Sequence, residues 1–281
     1  MEIEFEKMEG LGNDFILMDN RDGHMARGYA LEQKRVFSGM ARKMCDRHFG
    51  IGADGIILLV ESDINDAGFR IFNSDGSEAE MCGNGMRCFA KYLFDRKIIK
   101  KEKFTVETLA GTMVPEVILG SDGSVEAVRV DMGKPVIAPP PNPLDIEVNG
   151  EIFSITSLFV GNPHAVIFVN DINGIDVEKH GRAIENHPMF PEKTNVEFIE
   201  VLGRREMKMA VWERGAGETL ACGTGACAAL VAANLGGRTD PRADIHLKGG
   251  TLSIEWRTSD SHLIKTGPVR SVFKGIITLD S

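Results

Sequence analysis

The sequence predicts a mixed protein of strands and helices, α/β or α+β, assembled from two homologous halves. Three observations carry that prediction. Short β-type runs are interspersed with stretches of helical periodicity. A Cys-Gly-X-Gly step occurs at Cys82 and again 140 residues later at Cys222. The 281 residues amount to about two domains at roughly 150 residues each. Strands and helices are too intermingled to settle the sheet type from pattern alone.

Along the chain, strand signals fall at Ile16–Met18 after a Gly-Asn turn, Ile56–Val60, Phe69–Phe72, Val125–Val130, Val166–Val169 and Lys208–Val211. Residues 30–47 read as an amphipathic helix with Cys45 near its end. The clearest helix runs from Gly85 to about Ile99, where Met86, Phe89, Ala90, Leu93 and Phe94 recur on one face. Ala138-Pro-Pro-Pro-Asn-Pro143 breaks regular structure and reads as a surface connection. A last helix is expected from near Thr224 through Asn234. It is small and apolar all round, the mark of a helix buried in the interior.

Composition narrows the class. Hydrophobic residues make up 43% and charged residues 26%, enough apolar material for a sizeable core. The net charge of −9 argues against nucleic acid as an electrostatic partner. No apolar run approaches the ~18 residues of a membrane span. Met1-Glu-Ile-Glu-Phe-Glu-Lys7 lacks the basic and apolar regions of a secretory signal. Five cysteines do not make the dense, even framework of a secreted scaffold, so reduced thiols in the cytoplasm are expected.

The repeat is the most informative feature. Met81-Cys-Gly-Asn-Gly85 aligns with Ala221-Cys-Gly-Thr-Gly225. Upstream of the cysteines, Phe72-Asn73 matches Trp212-Glu213, and Glu78 matches Glu218. Further back, Gly12-Asn13 and Gly161-Asn162 each precede an apolar strand. The boundary between halves is expected near residues 120–130. Domains of 1–126 and 127–267 follow, with a final strand at 268–281 returning to the first half.

A Cys-Gly-X-Gly step at a helix start has a definite chemistry. Glycines let the backbone turn tightly and expose its N–H groups. First-turn N–H groups lack intrahelical partners and sit at the positive end of the dipole, so they attract an anion. That field also favours the thiolate form of a thiol. Two such starts serving one site would hold a carboxylate between two opposed sulfurs. A thiolate on one face removes a proton from carbon, and a thiol on the other returns one. The result is two-base inversion of a stereocentre.

Cys45, Cys88 and Cys227 take the ordinary reading of core thiols. Zinc is set aside because Cys82-x5-Cys88 and Cys222-x4-Cys227 are not paired Cys-x-x-Cys ligands. Gly223-Thr-Gly-Ala-Cys-Ala228 formally fits a dinucleotide fingerprint, but no strand leads directly into it. No P-loop, nucleophile elbow or zinc-protease motif is present.

Six motifs in order resemble the diaminopimelate epimerase family: Gly10-Leu-Gly-Asn-Asp-Phe15, Phe72-Asn-Ser-Asp-Gly-Ser77, Met81-Cys-Gly-Asn-Gly-Met-Arg-Cys88, Gly161-Asn-Pro-His164, Thr194-Asn-Val196, and Glu213-Arg-Gly-Ala-Gly-Glu-Thr219 through Ala226. The resemblance runs nearly end to end. It implies an α+β fold of two pseudosymmetric halves, each a bent mixed β-sheet, or partly open barrel, around a central helix. It also implies a cofactor-independent isomerase that binds no metal, interconverts LL- and meso-2,6-diaminopimelate in lysine and peptidoglycan precursor synthesis, and forms a homodimer.

By the same resemblance, Cys82 and Cys222 are acid and base, and His164 and Glu213 set their protonation states. Backbone N–H groups of Gly83, Asn84, Gly223 and Thr224 hold the reacting carboxylate. Glu213 takes the reacting ammonium, with Asn73 beside it. Asn13, Asn73, Asn162, Asn195 and Arg214 bind the remote amino-acid end. Glu78 and Glu218 brace the loops before the cysteines. One departure is Gly55, where some relatives carry a glutamine that touches the ligand; here that contact is lost or made by backbone. The alternatives are a proline or hydroxyproline racemase, for which Cys-Gly-His-Gly is expected at Cys82–Gly85, and a non-catalytic ligand-binding or thiol-sensing protein on the same fold.

Overall fold

A computed structural model describes residues 2–26, 32–140 and 142–279. The chain divides into two compact units, Met1–Val130 with Gly267–Ser281, and Asp131–Thr266. The fold is α+β, with a large mixed sheet and two principal helices in each unit. Neither sheet closes into a barrel among the described residues.

In the first unit, strand Asn13–Asp19 runs parallel to Gly55–Val60, and helix α1 (Gln33–Cys45) lies between them in sequence. Gly55–Val60 pairs antiparallel with Ala67–Asn73, which carries the short strand Glu78–Ala79. Helix α2 (Gly83–Asp95) then leads to Val106–Thr108, parallel to Ala67–Asn73. Glu2–Gly10 adds antiparallel beside Asn13–Asp19, and Arg270–Thr278 adds antiparallel beside Glu2–Gly10 as the sheet's edge.

The second unit repeats this order. Pro163–Phe168 runs parallel to Asn195–Gly203, with helix α3 (Val177–Glu185) between them in sequence. Asn195–Gly203 pairs antiparallel with Glu206–Glu213, which carries Gly217–Glu218. Helix α4 (Gly223–Leu235) leads to Arg242–Leu247, parallel to Glu206–Glu213. Both α2 and α4 have 13 residues. The pairings Phe72↔Glu78 and Trp212↔Glu218 fall at the same place in the repeat.

Alternation along the strands decides which helix each face receives. Ile16, Met18, Ile56 and Leu58 pack with Phe37, Met40, Ala41 and Met44 of α1. The intervening side chains, Leu17, Ile57 and Ile71 among them, are equally buried, as are Met86, Phe89 and Leu93 of α2. Sheet strands buried on both faces read as continuous apolar runs, which is the pattern of Gly55–Val60. Phe69 meets Phe89 edge to face at 5.1 Å. In the second unit Val177 and Ile184 of α3 pack on Ile155, Ile167, Val196 and Phe198. Helix α4 is buried along Gly223 and Gly225–Ala233, as its all-round apolar sequence requires.

The first two helices of the pattern are shorter than expected. The second ends at Asp95, where the chain turns through Lys97 at φ 58°, not at Ile99. The first spans Gln33–Cys45; residues 30 and 31 of the expected 30–47 lie outside the described residues. Pro141 of the proline-rich connection also lies outside them, as do residues 280 and 281 of the expected final strand. Helix α3 has only nine residues, too short a stretch for its pattern to stand out, and the strands Leu144–Val148 and Glu151–Phe159 were not singled out from the sequence.

Gly181 of α3 lies against Trp212, and a Cβ there would sit 2.4 Å from the Trp212 Cβ. Replacing glycine with alanine in a helix ordinarily gains about 1 kcal/mol. Here overpacking costs about 1–3 kcal/mol and wins, since Trp212 is also pinned by its Nε1–H donating to Glu185 at 2.7 Å. Gly181→Ala is therefore expected to lower stability in urea unfolding; a rise in the midpoint would contradict this packing.

Candidate active site

Each conspicuous cysteine caps a helix. Cys82 is the N-cap of α2 in extended backbone conformation, and its sulfur accepts the Gly85 N–H at 3.5 Å. Cys222 does the same for α4, accepting the Gly225 N–H at 3.4 Å. Sulfur thus takes the place of the usual Ser, Thr, Asp or Asn oxygen. The N–H groups of Gly83, Asn84, Gly223 and Thr224 lie in the first turns, where helical geometry supplies no acceptor.

The final glycine of each motif has a different role from the one the sequence suggested. Neither Gly85 nor Gly225 has positive φ. A Cβ on Gly85 would come 2.9 Å from Ile57 Cδ1, and one on Gly225 would come 2.6 Å from Glu197 Oε1. These glycines let the helix start press against the sheet.

Around Cys82 the side chains form a directed chain. Asn13 opens its strand after a turn with Leu11 at φ 62° and Gly12 at φ 84°. Its Nδ2 donates to Asp54 Oδ2 at 2.6 Å. A carboxylate only accepts, so the Asn13 carbonyl faces the other way, toward Asn84 Nδ2 at 3.2 Å and Cys82 Sγ at 3.9 Å. Asn84 Oδ1 accepts from Arg87 Nη1 at 2.7 Å. Asp54 also accepts from Arg47 at 2.9 Å, and Arg47 grips Asp14 with both Nη atoms. Burial pushes the Asp14 carboxyl up, but hydrogen bonds and charge from Arg47 and Lys7 outweigh it and hold it below its ordinary value. Asn73 is exposed, with Nδ2 donating to Ser77 at 2.9 Å. Asp54, Asp14, Arg47 and Arg87 were given no role by the sequence reading, although Asp14 and Arg87 stand inside the motifs at Gly10–Phe15 and Met81–Cys88.

Around Cys222 the surroundings are acidic. His164 is buried, with Nδ1 2.7 Å from Glu197 Oε1 and Nε2 2.8 Å from Asn162 Oδ1. Glu197 is fully buried and its Oε2 has no partner. Thr219 donates to Glu213 Oε1 at 2.5 Å. Burial pushes the Glu213 carboxyl up against hydrogen bonds from Thr219 and Cys222. Burial also raises the Cys222 thiol well above its ordinary value, and the Glu213 and Glu197 charges push it the same way. Asn195 is buried, and its amide ties two strand ends: Nδ2 donates to the Pro163 carbonyl at 2.8 Å, and Oδ1 accepts the Arg214 N–H at 3.0 Å. The Arg214 side chain is exposed and donates to the Glu192 carbonyl at 3.2 Å.

The remaining residues singled out by sequence have structural surroundings. Glu78 is gripped by Arg70 at 2.7 Å, and Glu218 pairs with Lys248. Cys45, Cys88 and Cys227 are free and buried, and burial drives Cys45 and Cys227 up to about 12 and Cys88 higher. Such thiols are inert at neutral pH. A Cβ on Gly55 would lie 2.7 Å from the Phe72 carbonyl, so this position offers backbone only. No cluster of three metal-ligating side chains and no helix long and apolar enough to cross a membrane occurs among the described residues.

A carboxyl raised by folding contributes stability below the ordinary carboxyl pKa and loses it as pH climbs through its folded value. Glu213→Gln removes the buried charge while keeping an acceptor for Thr219. Thermal unfolding is expected to show the variant more stable than the parent at pH 8, with the gap closing toward pH 4. A variant less stable at pH 8 alone would mean that the Glu213 carboxylate is a net stabiliser.

Comparison with known proteins places the chain. The family model described as diaminopimelate epimerase matches residues 5–138 and 156–272. A Desulforapulum autotrophicum protein named diaminopimelate epimerase is 54% identical over 99% of this chain and 100% of its own length. A namesake from Pelotomaculum thermopropionicum is 49% identical over 97% of this chain and 98% of its own. Among solved structures, a hydroxyproline epimerase from Agrobacterium vitis with bound trans-4-hydroxy-L-proline superposes with a TM-score of 0.69 at 16% identity, over 99% of this chain and 92% of that one. A PhzF-family phenazine biosynthesis protein from Bacillus anthracis gives 0.72 at 14% identity, over 99% and 100%. At those identities the likeness is one of fold. The near full-length match to the family model and the relatives of about half identity decide the matter: the chain belongs to the diaminopimelate epimerase family.

Proposed function

We propose that this protein epimerises LL-2,6-diaminopimelate to the meso form by two-base chemistry, with Cys82 and Cys222 as the proton carriers. The single observation that supports it is the repeated sulfur N-cap: each half presents a thiol beside first-turn N–H groups at the positive end of a buried helix. One sulfur, as thiolate, takes the proton from the α-carbon. The electron pair left behind spreads into the substrate carboxylate, where N–H groups of Gly83, Asn84, Gly223 and Thr224 stabilise the developing charge. The other sulfur, as thiol, delivers its proton to the opposite face. The carbon is inverted, and the thiol and thiolate have exchanged places.

The supporting roles follow from charge. Glu213 receives the reacting ammonium beside Asn73, and His164 with Glu213 governs which sulfur holds the proton. Asn13, Asn162, Asn195 and Arg214 serve the remote amino-acid end. Free thiols throughout the chain suit a reducing compartment, and we assign the enzyme to the cytoplasm. A homodimer is supported by the edge strand Arg270–Thr278, which exposes Val272, Phe273 and Ile276. A long apolar edge invites strand pairing.

Cys82→Ala and Cys222→Ala are each expected to lower kcat by at least about 10²-fold, the scale of a general acid or base. Either alone should match the double variant, because groups acting as a unit are not additive. Cys45→Ala, Cys88→Ala and Cys227→Ala should keep most activity. A single variant at Cys82 or Cys222 with near-parental kcat refutes the two-base assignment. For the dimer, sedimentation of a Val272→Lys, Ile276→Lys double variant should show a monomer; an unchanged dimer would place the interface elsewhere.

A further inference from the structure

Helix α2 carries a buried charge that the scheme above leaves unused. Arg87 is fully buried on its second turn. Nη1 donates to Asn84 Oδ1 at 2.7 Å and Nε donates to the Pro268 carbonyl at 3.2 Å, while Nη2 has no partner. None of these partners is a carboxylate. Burial pushes the guanidinium pKa down, yet arginine stays charged. The groups that feel its charge are Cys88, Cys82 and Glu9, and the Glu9 carboxylate already accepts the Gly12 N–H at 2.9 Å. A buried cation normally has a counter-charge, because desolvation is costly.

Two further observations locate the missing counter-charge. Arg87 only donates, so it turns the Asn84 carbonyl toward itself and the Asn84 amide group toward Asn13, whose carbonyl also faces Cys82. The hydrogen-bond chain from the guanidinium therefore ends at the Asn13 carbonyl, the same oxygen to which the Cys82 thiol donates. The repeat also shows that the charge is not generic to this fold. The corresponding residue of α4 is Cys227, and the charged groups acting on Cys222 are the carboxylates Glu213 and Glu197.

We propose that Arg87 is a positioning residue, the standing counter-charge for the negative charge that arrives at the start of α2 as the Cys82 thiolate and the substrate carboxylate. This rests on the reading of Cys82 as a proton carrier.

The test is iodoacetamide labelling of unliganded enzyme at pH 7, with Cys82 and Cys222 followed separately by peptide mass spectrometry. Only the thiolate reacts, and removing an opposite charge nearby typically changes its fraction at least about tenfold. Arg87→Met is expected to slow Cys82 labelling by about that factor. Arg87→Lys, which keeps the charge, should stay within about threefold of the parent, and Cys222 should be unchanged in both. Labelling of Cys82 at the parental rate in folded Arg87→Met overturns the proposal. If that variant does not fold, Gly10→Ala decides, because its Cβ would come 2.7 Å from Arg87 Nη2 and displace it. Slower Cys82 labelling there supports the role, and a parental rate overturns it. Labelling does not depend on turnover, so an active Cys82→Ala enzyme would refute the two-base reading separately.

Discussion

A thiol sulfur occupying the N-cap of a buried helix is the constraint on which the rest of each half depends. Such a cap has to hold the helix start, worth about 1 kcal/mol, and under the proposed mechanism it also leaves the sulfur free to gain and lose a proton. Both demands are met by letting the third N–H of the helix donate to sulfur. The sheet then has to come close enough to fix the helix start, and Gly85 and Gly225 remove the side chains that would prevent it. The apolar, two-sided burial of the central strands follows, because each sheet is covered by a second helix on its other face.

The halves share this frame but not their electrostatics. Behind Cys222 stand His164, Glu197 and Glu213; the corresponding strand positions of the first unit are Phe15, Ile57 and Asn73. Behind Cys82 stands Arg87, where the second unit has Cys227. A duplicated scaffold has thus been given carboxylates on one side and a cation on the other.

Much of this was legible in the sequence because it is local. The repeat, the helix starts at Cys82 and Cys222, and the buried faces of α2 and α4 all follow from spacing and side-chain type. The networks were not legible. Asp54 and Arg87 orient Asn13 and Asn84 from opposite ends, but they are separated by 41 and 3 residues from their partners and have no signature of their own. Glu197 sits in an ordinary strand pattern, and only the parallel register of His164 with Asn195 brings it to the imidazole. Helix α3 was invisible for a different reason: its apolar face spans only nine residues, and the sheet beneath it supplies the stability.

The central claim, two opposed proton carriers acting on one carbon of a bis-amino acid, is tested most directly by turnover in heavy water with reductant present. LL-Diaminopimelate, L-lysine and L-proline are supplied separately, and deuterium is located in product and recovered substrate at early times. The account predicts meso-diaminopimelate carrying one deuterium at the inverted carbon, recovered LL substrate with little label, and turnover of lysine and proline lower by orders of magnitude. Product retaining the substrate's own proton, or lysine or proline turned over as fast as diaminopimelate, would contradict it.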